Sequence, residues 1–345
     1  MFRKMQFYWR VVLIVVAWSG LIAAPQAFAA YKQIEAGVFH TCGLKSDGSV
    51  ICWGLNIIGR TTVPSGTFTQ ISVSIDHTCG LKSDGSATCW GSNNWGQTTV
   101  PSGTFTQISA GGNHTCGLKS DGSATCWGDN RSGQSSVPSG TFTQINAGSL
   151  HTCGLKSDGS AACWGAGRTS TRTNYEYGQS VVPSDMFIQL SAGYLHSCGL
   201  KSDGSVTCWG ANDYGQSIVP SGMFTQLRAG GHHTCGLKSD HTVTCWGAGK
   251  TNTGNYPESG QSIAPSGTFT QLSAGEYHTC GLKSDSSAIC WGNNFIGQST
   301  VPVDSGVTTG TPTVTTKLDG ISTNAFITPA NKMIAGVLFR GALNG

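Results

Sequence analysis

The chain has 345 residues, of which 49 are glycine and only 11% are charged. That balance excludes a helical bundle and a highly charged disordered chain. The formal charge of +3 comes from the first ten residues: without Arg3, Lys4 and Arg10, 17 basic residues face 17 acidic ones. The neutral remainder has no counterion-release drive toward nucleic acid.

The N-terminus reads as a secretory signal. Arg3, Lys4 and Arg10 give a positive start, Val11 to Ala24 an apolar stretch, and Ala27-Phe28-Ala29 a small-x-small cleavage site. Residues 1–29 are therefore expected to be removed. The alternative is a membrane anchor, but a spanning helix needs about 20 apolar residues. No cysteine stands at the cleavage point to carry a lipid. The expected location is secreted or periplasmic, with no membrane anchor after cleavage, which places the cysteines in an oxidising compartment.

Residues 30–302 hold one unit copied seven times. The clearest copy runs from Phe105 through His114-Thr-Cys116-Gly-Leu-Lys-Ser-Asp-Gly-Ser to Cys126-Trp-Gly128, and on to Pro138. The first cysteines of the copies are spaced 37, 37, 37, 45, 37 and 45 residues apart. The two longer spacings come from eight-residue insertions after Gly165 and Gly247. Four short strands are predicted per copy: Phe105 to Ala110, His114 to Lys119, Ala124 to Trp127, and a fourth near Ser135 to Val137. Pro138 to Thr141 turns the chain into the next copy, with Gly and Pro at each junction as turn chemistry requires. About 40 residues and four strands per repeat describe a propeller blade. A helical repeat is the rival, but no 3.6-residue apolar period is present. The predicted fold is all-β: a seven-bladed β-propeller with a short C-terminal extension.

The motif Ala-Gly-x-x-His-Thr-Cys-Gly-Leu-Lys-Ser-Asp-Gly-Ser-x-x-Cys-Trp-Gly-x-Asn resembles the repeat of the RCC1 (regulator of chromosome condensation) superfamily, from Tyr31 to about Pro302. The resemblance implies a seven-bladed propeller and leaves function open. Members include a nuclear exchange factor for the GTPase Ran, tubulin-suppressor-like proteins and a secreted bacterial inhibitor of β-lactamases. The signal peptide, neutral charge and paired cysteines here depart from the nuclear member and count against nucleotide exchange and chromatin binding.

All 14 cysteines belong to the repeat, each second one ten positions after the first. A three-residue turn at Ser120-Asp121-Gly122, with Gly122 left-handed, places Cys116 opposite Cys126. Opposed residues of a non-hydrogen-bonded pair approach to about 4.5 Å between Cα atoms, inside disulfide range. The expected bridges are Cys42–Cys52, Cys79–Cys89, Cys116–Cys126, Cys153–Cys163, Cys198–Cys208, Cys235–Cys245 and Cys280–Cys290. The chain-entropy limit is roughly 2–3 kcal/mol for each, less in a hairpin that is already local. Two turns put a β-carbon at a left-handed position: Asp240-His241 and Asp285-Ser286.

A metal site is the competing reading. His114 and Cys116 share a strand face and Cys126 sits opposite, so each blade offers one imidazole and two thiolates for zinc or copper. Export favours oxidised cysteines and structural zinc wants four ligands, so no metal and no cofactor are expected. The seven matching histidines (His40, His77, His114, His151, His196, His233 and His278) are read as structural hydrogen-bonding groups at the loop. The tryptophan after each second cysteine is read as blade packing.

The copies differ mainly at one end. The two–three turn and the four–one turn are nearly uniform. The one–two and three–four connections, which antiparallel strands bring to the same rim, vary. There lie Phe39, Ile58, Asp76, Trp95, Arg131, Leu150, Tyr194, Asp213, Tyr214, His232, Tyr277 and Phe295, with Arg172, Tyr175, Tyr177 and Tyr256 from the insertions. Variable loops on a rigid scaffold are where recognition sits, and aromatic and arginine side chains anchor interfaces. Unrestrained drift is the alternative, but drift would vary both rims. The charges are mixed, so no single-sign ligand is indicated.

No phosphate-cradling loop, serine elbow or paired acid is visible; the chain is expected not to be an enzyme. The expected function is an exported monomeric scaffold that binds a protein through this rim. Alternatives are a glycan-binding propeller, with Trp95, Tyr214 and Tyr277 as stacking platforms, and an inhibitor of a secreted enzyme such as a β-lactamase. Residues 303–345 leave the repeat as a Thr/Gly-rich extension of unassigned role.

Overall fold

The computed structural model describes residues 30–172 and 175–303. The predicted signal segment and residues 304–345 lie outside that range. No helix occurs among the described residues. Seven antiparallel three-stranded sheets follow one another in the order of the chain. In the third blade the strands are Gln107–Ala110, His114–Leu118 and Ala124–Gly128.

The hairpin register follows from the ten-residue cysteine spacing. Cys116 pairs with Cys126, the Lys119 amide donates to the Ser123 carbonyl at 2.9 Å, and Gly122 has φ of 81°. All seven expected disulfides are present, with Cα separations of 4.0–4.1 Å. His241 and Ser286 hold the expected left-handed conformation at φ of 66° and 65°.

The predicted fourth strand is not a strand. Residues 135–137 run as turns because their amides are satisfied locally. The Ser135 amide donates to the Asn130 side chain at 3.0 Å and the Ser136 amide to the Gly133 carbonyl at 3.1 Å. No donors are left over for a ladder. The first strand is also shorter than predicted in this blade, since the Phe105 amide donates to the Gly85 carbonyl, in the turn of the preceding blade, at 2.8 Å.

The hydrophobic core lies between blades. Cys42, Cys52 and Leu44 of the first blade pack against Phe68, Ile71 and Trp90 of the second. Phe68 and Trp90 lie 5.8 Å apart between ring centroids, and the same pair recurs in each later blade. The Phe68 ring lies over Gly80, where a β-carbon would sit 2.4 Å from it. This close approach is why the second strand carries glycine between cysteine and leucine.

Polar groups join the innermost strands. The Gln107 side-chain amide donates to the Ile145 carbonyl and accepts from the Ile145 amide, both at 2.9 Å. It mimics a strand partner for the next blade. Further out, the Gln97 carbonyl accepts from Thr115 Oγ1 at 2.8 Å and from Trp127 Nε1 at 2.9 Å. The last blade meets the first with the same set: Gln271 Oε1 on the Ile34 amide, and the Gln298 carbonyl on Thr41 and Trp53. Residues 31–301 thus complete the ring.

The repeated histidines are structural, but they sit between blades rather than at loops. His114 Nε2 lies 2.8 Å from Thr152 Oγ1 of the next blade. Thr152 gives its single proton to the Gln134 carbonyl at 2.9 Å, so the imidazole donates from Nε2 and Nδ1 is bare. With the thiols oxidised and Nε2 engaged, the donor set of the metal reading is not available.

Candidate functional site on the variable rim

The one–two connections of all seven blades surround the mouth of the central channel, a cavity of about 100 Å³. The three–four connections lie outside them on the same rim and reach inward. Most of the sixteen rim residues singled out by sequence make contacts across blade boundaries.

At the first boundary, Arg60 lies over the Phe39 ring at 5.2 Å and pairs with Asp76 at 2.8 Å. Arg60 is only 5% exposed. Burial lowers its pKa and raises that of Asp76, so desolvation outweighs mutual attraction on both members. Sequence reasoning missed Arg60. Its signal was available: glutamine stands at this position in the other six copies, as Gln97, Gln134, Gln179, Gln216, Gln261 and Gln298.

At the next boundary, Arg131 covers one face of Trp95 at 3.8 Å while its guanidinium grips buried Asp129 through two 3.0 Å bonds. The Asp129 carboxyl is held below the usual range by those bonds, against the opposing effect of burial. Arg172 reaches Asp213 at 3.3 Å. Ile58 is exposed, and Phe295 is 81% exposed. Leu150 is half-buried, as are Tyr175 and Tyr177, whose main chains bond Gln179.

The remaining five join into one cluster over blades five to seven. His232 is its hub: the Tyr194 ring lies at 6.0 Å, Tyr214 edge-on at 5.0 Å and Tyr256 edge-on at 5.6 Å. Tyr256 then meets Tyr277 edge-on at 5.4 Å. The Tyr256 hydroxyl lies 2.6 Å from His232 Nε2. Tyr277 donates its hydroxyl proton to Glu276. Burial dominates the electrostatics. It lowers His232 to about 4 and raises Glu276 to about 7. It also raises Tyr194 to about 12, helped by the Glu276 charge, and raises Tyr256 and Tyr277.

The insertion carrying Tyr256 folds back through a small hairpin, Asn252–Asn255 with Glu258–Ser259. The Glu258 carboxylate accepts from the Thr251 amide at 3.0 Å, and Glu176 does the same for Thr169 at 2.9 Å in the other insertion. Both excursions are built alike and held to the rim.

Six further apolar side chains are exposed on blades four to six: Val181, Met186, Ile188, Ile218, Met223 and Ile263. Met186 and Met223 belong to the four–one turn, which sequence reasoning treated as nearly uniform.

Fold and rim together define a disulfide-stapled seven-bladed propeller with one diversified face. The chain belongs to the family described as Regulator of chromosome condensation (RCC1) repeat, which matches residues 31–57, 68–97, 105–134, 142–169, 187–216, 224–252 and 269–298. Among curated proteins none matches it. Among solved structures it is similar to the CRINKLY WD40 ectodomain of the Arabidopsis thaliana receptor kinase ACR4. Identity is 28% and the TM-score 0.63, over 80% of this chain and 99% of that one. The ectodomain of the Physcomitrella patens receptor kinase CR4 is also 28% identical, with TM-score 0.61, over 75% and 72%. Prp20p from Saccharomyces cerevisiae shares the fold at 18% identity and TM-score 0.57, over 71% and 80%.

Proposed function

We propose that this propeller is an exported, non-catalytic scaffold that binds a protein partner through its variable rim. One observation carries the reading: the aromatic cluster of Tyr194, Tyr214, His232, Tyr256 and Tyr277 is contiguous across three blades, although its members come from five separate loops. Rigid aromatic groups at a cavity mouth are what interface anchors look like. The seven disulfides and the likeness to two receptor ectodomains support an oxidising, extracellular setting. A glycan platform is less well supported, because Arg131 already occupies one face of Trp95 and Tyr277 is tied to Glu276.

The test uses the mature chain as bait for extracellular proteins, beside the double variant Tyr214→Ala/Tyr256→Ala and the opposite-rim control Asp121→Asn. A discrete protein should be retained by wild type and by the control, and lost with the double variant at an unchanged melting temperature. Equal retention by all three overturns the rim assignment, and so does a melting loss that parallels the loss of capture. Intact mass tests export independently: a chain that begins at Ala30 and is two hydrogens lighter for each bridge is expected.

A further inference from the structure

Among the described residues the mouth of the channel holds a single carboxyl group. At the equivalent position the other six blades carry Val38, Ile75, Gly112, Ser149, Tyr194 and Gly231; the seventh carries Glu276. Glu276 lies directly on Gly231 of the neighbouring blade, where a β-carbon would sit 2.4 Å from its Cγ. That glycine makes the space for the carboxyl at the cavity wall, beside Tyr194.

The carboxyl has one hydrogen-bond partner among the described residues, the Tyr277 hydroxyl. No ion pair to it occurs among them. Three other acids of this rim are paired with arginine: Asp76 with Arg60, Asp129 with Arg131, Asp213 with Arg172. A desolvated carboxylate without a cation is costly. The groups facing it are Tyr194, Tyr256 and Tyr277, all neutral, and burial holds its proton to about pH 7. An acid with aromatic rings around it is the arrangement that binds an ammonium or guanidinium group, through charge and through ring faces.

We infer that the channel mouth is a pocket for one cationic side chain of the partner, with Glu276 as counter-ion and Tyr194, Tyr256 and Tyr277 as its aromatic wall. This deepens the rim-binding reading and rests on it for the word partner, but not for the pocket itself. Because the carboxyl must be ionised to bind the cation, affinity should rise as pH increases through 7.

The probes are three short capped peptides, Gly-Lys-Gly, Gly-Arg-Gly and Gly-norleucine-Gly, titrated against the mature protein while the tyrosine ring resonances are followed. The lysine or arginine peptide should shift the Tyr194, Tyr256 and Tyr277 signals, more strongly at pH 8 than at pH 6, and norleucine should not. Glu276→Gln keeps the shape and the acceptor for Tyr277; it should weaken the response at least about tenfold with melting retained. Equal binding of norleucine, equal binding by Glu276→Gln, or no response to any peptide overturns the pocket. Loss of protein capture in the rim variants beside silent peptides sinks the pocket alone. A peptide response without any protein capture sinks the partner reading and leaves the pocket standing.

Discussion

Gly80 shows how a single atom can organise a blade. Its missing β-carbon leaves room for Phe68, which would otherwise be 2.4 Å away. Gly117 and Phe105, Gly154 and Phe142, and Gly236 and Phe224 repeat the arrangement. Gly80→Ala forces the ring off the disulfide face and should lower stability by about 1–3 kcal/mol, as overpacking does. Chemical denaturation checks it. The double variant with Phe68→Leu should lose less than the two single losses added together, because the clash is shared. Simple additivity would mean that ring and glycine are not coupled. The glycine was visible in the sequence as a repeated letter, but its reason was not. The ring that needs it stands twelve positions upstream, and no strand period links the two. Similarly, Arg60 stood out only by replacing a glutamine, and its partners Phe39 and Asp76 come from two different loops.

Within a blade, local spacing made the hairpin legible: a ten-residue cysteine interval and a Ser-Asp-Gly turn leave one register. The fourth strand was misread because the Asn130 side chain does the work of a ladder, which alternation of residues cannot reveal. Contacts between blades were hidden for a different reason. In a repeat, each residue's true partner is a copy about 37 residues away, and the sequence is equally compatible with a partner in its own copy. The histidines are the case in point. They bond the next blade and are fully buried. Burial lowers His77, His114, His151, His196, His233 and His278 to about 3, and His40 well below 6.5. The unfolded chain therefore binds protons from pH 6.5 downward while the folded ring does not, and stability falls as pH drops from 6.5 toward 3. The turn aspartates contribute only below 3.8. The carboxyls raised by burial, Glu276, Asp76 and Glu35, act oppositely: their contribution fades as pH rises, through 7 for Glu276. The denaturant midpoint should thus drop steeply from pH 6.5 to 4.5, by on the order of 1 kcal/mol per pH unit for each imidazole. A flat profile over that interval would mean that the imidazoles are hydrated or charged in the folded ring.

The ring as a whole behaves as a circle of nearest-neighbour interfaces, each built from the same few contacts. Its weakest point in principle is the seam between the last blade and the first, where the chain supplies no covalent link. Here that seam repeats the others. Tyr31, Ile34 and Trp53 pack on Cys280 and Leu282, Gln271 reaches Ile34, and Thr41 accepts His278 and donates to Gln298. The Tyr31 amide also donates to the Ser286 carbonyl, tying the first strand to the last hairpin. These seam contacts all come from the described residues 31–301. Removing residues 304–345 should leave the melting temperature within a few degrees of the full chain, about what a change below 1 kcal/mol produces. By contrast, Trp53→Phe/Thr41→Val strips both donors from the buried Gln298 carbonyl and should cost about 1–3 kcal/mol, matching Trp127→Phe/Thr115→Val at an interior boundary. If the truncation melts far lower while the seam variant is silent, the extension rather than the seam holds the ring shut. If the seam variant costs much more than the interior one, the circle has a preferred opening point, and unfolding begins between the seventh blade and the first.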